Sequence, residues 1–341
     1  MALGMFGWAA RASAAAVLAL AVSACGQQDQ NAGGAQTVRI DGSSTVFPIS
    51  EAAAEAFMAD TRGRTRVSVG ESGTGGGFRR FCRGETEVQG ASRPILANEM
   101  AECAAAGITY VEAPIAFDGI TVVVHPTNPV TSITMQELNV IWEPDAGGRI
   151  NNWRQVNAAW PELDLQLFGA GTASGTFDFF TEAVNGEAKA SRTDYTPTED
   201  DNVTVQGVAN NTGGMGYFGI AYYEQNRERV NALTVDPGDG PVAPSAETIA
   251  SGEYPLARPL FIYFNAEALR RPAVAQFARF YLENATELAP RVGYVPLPAE
   301  AYTAYLERVN QRQTGTAFGG IQEMSASIDD VMSRPLSDAS Q

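Results

Sequence analysis

The chain has 341 residues, which leaves room for two lobes of ordinary domain size. Of these residues, 45% are hydrophobic and 18% are charged, which is typical of a globular and not of a disordered protein. The net charge of −16 argues against nucleic acid or an anionic lipid surface as a partner, because both require a basic face. A small anion is compatible with this charge, since local dipoles and not the overall field would hold it.

The N-terminus is typical of a bacterial targeting segment. Arg11 is followed by an apolar run, 14–22, that is too short to span a bilayer. The run ends in Val-Ser-Ala-Cys, which resembles a lipoprotein signal, in which the cysteine is lipidated after cleavage; an ordinary signal peptide that contains a cysteine is the alternative. We therefore expect a signal peptide at 1–24, a lipidated Cys25 with a flexible polar tether at 25–37, and an exported protein of the periplasm or cell envelope, anchored through Cys25.

Two further cysteines remain if Cys25 carries lipid. An even pair in an exported protein is typical of a disulfide, because the compartment is oxidising. The sequence therefore predicts a Cys82–Cys103 bond that closes a loop of about 20 residues. Two unpaired buried thiols are the alternative.

Predicted strands and helices alternate beyond the tether. Strand-like segments occupy 37–44, 65–72, 108–125, 164–171 and 258–265, and helical spacing occupies 48–61, 78–85, 134–144 and 272–293. Thr134 and Glu137 have the spacing of a capping box at the start of one of these helices. The alternation predicts an α/β architecture with mostly parallel sheets.

Three strand-to-helix turns are rich in Gly, Ser and Thr: 42–45, 72–76 and 173–176. The first turn of a helix leaves N–H groups without partners and carries partial positive charge, so it is a ready site for an anion. Such turns lie at the carboxyl ends of strands, where open α/β sheets bind ligands. Each turn alone could be a plain N-cap, but three of them in one exported chain favour an oxyanion site. GxxxxGK[ST] does not occur, and the match to GxGxxG, at 214–219, lies outside the three turns, which disfavours a nucleotide-binding loop at them.

Charged residues near these turns could complete such a site. Arg93, in GASRPI, has the forked donors that suit a tetrahedral oxyanion, although a surface ion pair is the alternative. Asp178 lies in the first turn of the third helix and could face the same ligand or simply compensate the helix dipole. Asp118 is a weaker candidate, with a structural turn role as the alternative.

The sequence resembles the phosphate-binding lipoprotein or periplasmic subunit of the bacterial phosphate ABC importer, the PstS family, in its SphX-like branch. The resemblance covers 38–298 and rests on DGSSTVFPI, ESGTGGGFRRFCRGE, GASRPI, ELNVIWEPDAGGRINNW, GTASGTFDFF, GGMGYFGIAYYEQN and ASGEYPL in this order. It implies a type II periplasmic-binding-protein fold, in which two α/β lobes, each a mostly parallel sheet flanked by helices, are joined by two crossing strands. The implied divisions are lobe one at 38–115 plus 260–325, lobe two at 116–259 and a polar tail at 326–341.

The resemblance also implies the site. The matching positions are Ser44, Thr45, Val46, Ser72, Thr74, Ser174, Gly175 and Thr176. Better-known relatives carry Asp where this chain has Arg93, and Arg four residues before the serine of SGT, where this chain has Ala170. We interpret this as an exchange between lobes, with Arg93 supplied by lobe one and Asp178 by lobe two.

The function implied is capture of inorganic phosphate and its delivery to an inner-membrane permease and its ATPase, by a monomer without metal, cofactor or catalysis. An exported hydrolase or phosphatase is the first alternative. Against it, Ser174 lies in GTASG and not in a G-x-S-x-G elbow, and the single histidine, His125, lies inside a predicted strand. A free-standing scavenger or adhesion lipoprotein on the same fold is the second alternative.

Overall fold

The computed structural model describes residues 36–172, 174–198, 200–321 and 327–337. The expected signal peptide, Cys25 and nearly all of the tether lie outside the described residues, as does Ala173 of the third turn. Strands and helices alternate through most of the described chain, as the sequence predicts.

Eleven strands are found within the described residues. They are β1 (Gln36–Gly42), β2 (Thr65–Val69), β3 (Val88–Ala91), β4 (Tyr110–Val124), β5 (Ser132–Thr134), β6 (Gln166–Ala170), β7 (Thr196–Thr198), β8 (Gly214–Gly219), β9 (Asn231–Ala232), β10 (Thr234–Asp236) and β11 (Ala257–Asn265).

Twelve α-helices flank these strands in the same part of the chain. They are α1 (Phe47–Asp60), α2 (Thr74–Cys82), α3 (Ala97–Ala105), α4 (Met135–Trp142), α5 (Trp153–Val156), α6 (Gly175–Asn185), α7 (Asp201–Ala209), α8 (Ile220–Asn226), α9 (Ala246–Ala250), α10 (Pro272–Arg291), α11 (Ala299–Gln311) and α12 (Ile328–Ser333). Among the described helices, none combines the length and apolar character needed to cross a membrane.

The main sheet has the strand order β2-β1-β3-β11-β4-β8-β6-β7, and β9 also pairs with β4. Strands β1, β2 and β3 are mutually parallel, and so are β6, β7 and β8. We call the first group, with its helices, the first lobe and the second group, with its helices, the second lobe. The antiparallel strands β4 and β11 lie between the two groups. The α/β, two-lobed fold class predicted from the sequence is thereby confirmed.

The two central strands are the most completely buried elements of the fold. Every residue of β4 and of β11 is buried, and the two strands pair from Tyr110 with Asn265 to Gly119 with Ala257. Beyond Gly119, β4 continues along β8 from Ile120. One uninterrupted strand therefore passes from the first lobe into the second.

A capping box explains the start of α4. Thr134 Oγ1 accepts from Glu137 N at 3.0 Å, and Glu137 Oε2 accepts from Thr134 N at 2.9 Å, so the predicted capping box of α4 is confirmed. Trp142, at the end of this helix, is fully buried and meets Phe180 of α6 edge-to-face at 5.3 Å. The packing of α4 on α6 fixes the helix that follows the third Gly/Ser/Thr turn.

The predicted disulfide is confirmed. Cys82, at the end of α2, is bonded to Cys103 of α3, with the two Cα atoms 4.3 Å apart. The bond joins the helix that follows the second turn to the helix that follows Arg93. The segment expected to be a polar tail contains α12, whose Ile328 and Val331 are buried.

Candidate anion-binding site

A cleft of about 200 Å³ lies where the carboxyl ends of β1 and β3, the start of α2 and the first turns of α6 converge. Its lining is rich in hydroxyls and glycines and includes two arginines and two carboxylates. The lining residues are Ser43, Ser44, Thr45, Gly73, Thr74, Gly75, Ser92, Arg93, Asp178, Glu182, Ala188 and Arg258.

Five residues proposed from the sequence line this cleft: Ser44, Thr45, Thr74, Arg93 and Asp178. The other five, Val46, Ser72, Ser174, Gly175 and Thr176, lie outside its lining, although Gly175 contacts Thr45. Of the seven other lining residues, Ser43, Gly73 and Gly75 belong to the predicted turns, and sequence reasoning missed Ser92, Glu182, Ala188 and Arg258. Ser92, Glu182 and Arg258 carry polar side chains suited to an anion or its proton.

The first turn connects β1 to α1. Ser43 O accepts from Val46 N at 3.1 Å and from Phe47 N at 2.9 Å, and Ser43 Oγ accepts from Thr45 N at 3.2 Å. These bonds curl the backbone into the start of the helix. Val46 is buried and its N–H is used inside the turn, whereas the half-buried Ser44 lines the cleft together with Ser43 and Thr45.

The second turn separates its two hydroxyls. Ser72 Oγ donates to Asp41 Oδ1, and Asp41 also pairs with Arg80, so Ser72 is bound behind the turn and not at the cleft. Thr74 is the first residue of α2, and its Oγ1 lies 3.1 Å from Ser92 Oγ and accepts from Ser92 N at 3.2 Å. The strand after the turn therefore supplies a hydroxyl, Ser92, beside the one that the sequence indicated.

The third turn brings the two lobes into contact. Ser174 is the N-cap of α6, and its Oγ accepts from Thr176 N at 3.1 Å. A Cβ at Gly175 would lie 2.3 Å from Thr45 Oγ1, so only glycine allows this helix start to approach the first turn so closely. The first turn belongs to the first lobe and the third to the second, so the lobes are closed on each other at this point.

Arg93 is paired within its own lobe. Its Nη1 and Nη2 each lie 2.8 Å from an oxygen of Glu99, a bidentate pair whose side chains are 16% and 7% exposed. Glu99 Oε2 also accepts from Leu96 N at 3.0 Å at the start of α3. The carboxylate that orients Arg93 is thus Glu99 and not Asp178. Arg93 pairs within the first lobe, and Asp178 lies 3.8 Å from Lys189 in the second. Glu99 lies on α3, which the disulfide joins to α2.

Arg258 is the cation that sequence reasoning missed. It lies on β11, directly across from Asp118 on β4, and both side chains are almost fully buried. Its Nη2 donates to Thr45 Oγ1 at 3.0 Å and to Gly175 O at 3.4 Å, and lies 3.5 Å from Asp118 Oδ2. The guanidinium carbon also lies 4.0 Å from the ring centre of Phe179. The signal available in the sequence was that Arg258 is the single charged residue of RPLFIYFN, a mostly apolar segment predicted to be a strand.

Burial sets the electrostatics of these groups. Burial raises the pKa of the Asp118 carboxyl, and the attraction of Arg258 opposes that shift. Burial lowers the pKa of Arg258, but a guanidinium still keeps its charge at neutral pH. Asp118 Oδ2 is paired only at 3.5 Å with Arg258 Nη2, and Arg258 Nε has no hydrogen-bond partner among the described residues, so the guanidinium keeps a donor to offer.

Asp178 is the carboxylate of the second-lobe wall. Burial raises the pKa of its carboxyl, Lys189 and Arg258 oppose the shift, and Glu182 adds to it. Asp178 Oδ1 is buried and has no hydrogen-bond partner within the part of the chain that the structure describes. The wall therefore offers one acceptor oxygen opposite a set of donors. Glu182 lies four residues further along α6, which places it on the same helix face.

The described residues contain no group of three or more His, Cys, Asp or Glu side chains that could hold a metal ion. The polar groups of the cleft are hydroxyls, guanidinium groups and backbone groups facing acidic side chains. Such a set is suited to a tetrahedral oxyanion that carries a proton.

Comparison with known proteins points the same way. A family model described as a PBP superfamily domain matches residues 27–285. Protein SphX of Synechococcus elongatus is 49% identical over 297 residues, covering 86% of this chain and 88% of that protein, and the phosphate-binding protein PstS of Staphylococcus saprophyticus is 40% identical over 271 residues, covering 78% and 82%. The crystal structure of a possible phosphate binding protein from Planctomyces limnophilus shares 46% identity and superimposes with a TM-score of 0.77, covering 82% of this chain and 99% of that one.

Proposed function

The chain belongs to the PBP superfamily and, within it, to the family of the PstS and SphX proteins, and from this membership and the cleft we propose that it binds inorganic phosphate outside the inner membrane and delivers it to an ABC-type permease. One observation carries the proposal beyond family likeness. Arg258, a buried cation on a crossing strand, donates to the first turn and to the third turn at once. An anion placed in the cleft would therefore meet donors of both lobes and a charge that cannot be neutralised by deprotonation.

The proposed ligand shell combines three kinds of group. Ser44, Thr45, Thr74 and Ser92 supply hydroxyls from the first lobe, and Arg93 and Arg258 supply guanidinium donors. The start of α6 adds its helix dipole from the second lobe, while Ser174 N already donates to Gly171 O and Thr176 N to Ser174 Oγ. Asp178 accepts the proton that phosphate still carries at neutral pH. Val46 and Ser72 shape the turns without contacting the anion.

The proposed cycle uses the crossing strands as the hinge. The first lobe carries two of the Gly/Ser/Thr turns, and the second lobe carries the third on α6, so separation of the lobes would divide the ligand shell. Strands β4 and β11 are the continuous connection between the halves. Binding closes the lobes on the anion, the closed monomer docks on the permease, and opening releases the ligand. We place the hinge near 116 and 259, which divides the lobes as the resemblance implies.

The location of the protein follows from the same proposal. We propose that the mature chain begins at a lipidated Cys25 and that the polar tether holds the two lobes clear of the membrane. Mass spectrometry of the intact protein extracted from membranes would detect the acylated cysteine, whereas an unmodified N-terminus would favour an ordinary signal peptide.

A hydrolase remains the competing function, and its chemistry can be compared with the site. Ser174 Oγ is engaged with Thr176 N, and His125, which follows the end of β4, accepts from Thr127 N at 3.1 Å through Nδ1. The serine and the histidine therefore have separate partners. Release of phosphate from a phosphate ester by the purified protein would favour the enzyme, and it is measured on the same sample as binding.

The experiment that tests the proposal is calorimetric titration of the mature protein with inorganic phosphate and, separately, with sulfate. We expect a dissociation constant around micromolar or below for phosphate, which corresponds to roughly −8 kcal/mol. Phosphate should also raise the melting temperature by mass action. Absence of heat and of any melting shift at millimolar phosphate, in protein shown to be folded, would contradict the proposal.

A further inference from the structure

Lys189 is the single lysine of the 341-residue chain, in which arginine supplies every other side-chain cation except the histidine. It lies in the turn that follows α6, between Gly186 and Ala190, and its side chain is 64% exposed. An ammonium on a flexible stem differs from a guanidinium in being a strongly hydrated point charge that can follow a ligand. Its position in the fold therefore bears on how an anion reaches the cleft.

The backbone holds Lys189 in a conformation that its side chain disfavours. Its φ is +72°, in the left-handed region where residues other than Gly, Asn and Asp are uncommon. The Lys189 N–H donates at 2.7 Å to Oγ1 of Thr181, a fully buried residue of α6. On the other side of the turn, Asn185 Nδ2 donates to Ala190 O at 2.7 Å. Both flanks of the turn are thus tied to α6, which fixes the point from which the lysine side chain extends.

That point is the rim of the cleft. Ala188, the preceding residue, lines the cleft, and so does Asp178, whose Oδ2 lies 3.8 Å from Lys189 Nζ. The distance is that of a loose, solvent-exposed ion pair, which leaves the ammonium free to turn toward another anion. Asp178 Oδ1 is buried and has no partner among the residues in 36–172, 174–198, 200–321 and 327–337, so the lysine engages the outer carboxylate oxygen and not the inner one.

The charges around the rim oppose the entry of an anion. The chain carries a net charge of −16, and Asp178 and Glu182 both face the cleft from the second lobe. The two cleft arginines are much less exposed than Lys189, since the side chains of Arg258 and Arg93 are 3% and 16% exposed and that of Lys189 is 64% exposed. An anion that approaches from solvent at this rim meets Lys189 before it reaches either guanidinium.

We propose that Lys189 is the capture residue of the cleft: its ammonium offsets the rim carboxylates and attracts the incoming oxyanion, which raises the association rate. This inference rests on the proposed function. An ammonium attracts an anion that is still several ångströms away only at low ionic strength, because the Debye length is about 10 Å at 0.1 M and about 3 Å at 1 M. For a dianion, one rim charge should change the association rate roughly two- to five-fold in dilute buffer and hardly at all in strong salt.

The test is stopped-flow measurement of inorganic phosphate association with the full mature protein and three variants. Lys189→Asn removes the charge with a residue that tolerates positive φ, and Lys189→Arg keeps the charge. Arg270→Gln removes an exposed charge at the far end of β11 and is the matched control, since it changes the net charge equally. Arg258 and Asn265 are separated on this strand by roughly 23 Å at its usual rise per residue, and Arg270 lies beyond Asn265.

We expect Lys189→Asn to slow association roughly two- to five-fold at low ionic strength, with Lys189→Arg and Arg270→Gln close to the wild-type rate and the difference vanishing near 0.5 M salt. Equal rates for the wild type and Lys189→Asn would overturn the inference while leaving phosphate binding intact. Slowing in both lysine variants that persists in strong salt would also overturn it, because the turn and not the charge would then matter. A wild-type protein that does not bind phosphate would overturn the proposed function, and this inference with it.

Discussion

Arg258 and Asp118 face each other across the two crossing strands, with Nη2 3.5 Å from Oδ2 and side chains only 3% and 5% exposed. Removing one member of such a pair leaves a buried charge without its partner, which typically destabilises a protein by about 3–5 kcal/mol. The pair therefore couples the hinge to the site, and variants that test its role in binding have to change both residues together.

The double variant Arg258→Met, Asp118→Asn should fold and should bind phosphate more weakly. Loss of a charge-assisted donor typically costs about 1.5–3 kcal/mol, so we expect affinity to fall roughly 10- to 100-fold. Calorimetric titration gives the affinity, and Arg270→Met serves as the control for removal of an arginine. A double variant with wild-type affinity would assign Arg258 a purely structural role at the hinge.

Asp178→Asn should change the choice between anions. A carboxylate accepts the proton of phosphate, but it repels sulfate, which has no proton to donate at neutral pH. Asparagine can donate where the carboxylate could only accept, so sulfate should gain on phosphate. The ratio of the two dissociation constants is the measurement. If this ratio is unchanged, the selecting acceptor lies elsewhere, and Asp118 and Glu182 are the next carboxylates of the site to change.

Replacement of both Cys82 and Cys103 by alanine should lower stability. In the chain-entropy model a bond across a separation of 21 residues contributes roughly 3 kcal/mol. Because α2 carries Thr74 and α3 carries Glu99, the partner of Arg93, phosphate affinity should fall as well. Denaturant unfolding and phosphate titration of the same variant separate the two effects. Free-thiol labelling of the denatured, unreduced wild type should find neither cysteine.

Stability should depend on pH through Glu112. This fully buried carboxyl of β4 accepts from Tyr263 OH at 2.8 Å and from Ala317 N at 2.9 Å, and burial raises its pKa above the ordinary 4.5 despite these bonds, the hydroxyl of Thr316 and the attraction of Arg308. An acid whose pKa is raised on folding binds more protons in the folded state than in the unfolded state. This group therefore increases the free energy of unfolding at low pH. That contribution is lost as pH rises from 4.5 through the raised pKa.

Glu112→Gln keeps the shape and cannot ionise, so it isolates this contribution. Relative to the wild type, the variant should become more stable as pH rises from about 4.5 toward neutrality. Urea unfolding at several pH values measures the difference between the two proteins, and phosphate is left out so that ligand linkage does not enter. A constant difference across this range would show that Glu112 has the same protonation in the folded and unfolded states.

Patterns of near neighbours in the chain determined much of this protein before any coordinates. Alternating strands and helices predicted the α/β class, the Thr134–Glu137 spacing predicted a capping box, and the parity of the cysteines predicted the Cys82–Cys103 bond. The three Gly/Ser/Thr turns predicted where an anion would bind, because a helix start has the same unpaired N–H groups wherever it lies. These properties depend on spacing within a few residues or on simple elimination.

Tertiary structure alone decided which side chains line the cleft. Ser72 turns back to Asp41 while Ser92 joins Thr74, and Arg93 is held by Glu99, because the packing of α2 and α3 on the strands fixes each direction. Arg258 reaches the cleft because the register of β11 on β4 places it opposite Asp118, and a shift by one residue would point it to the other face of the sheet. Strand register between segments so far apart in the chain results from the packing of the whole core, and no local pattern encodes it.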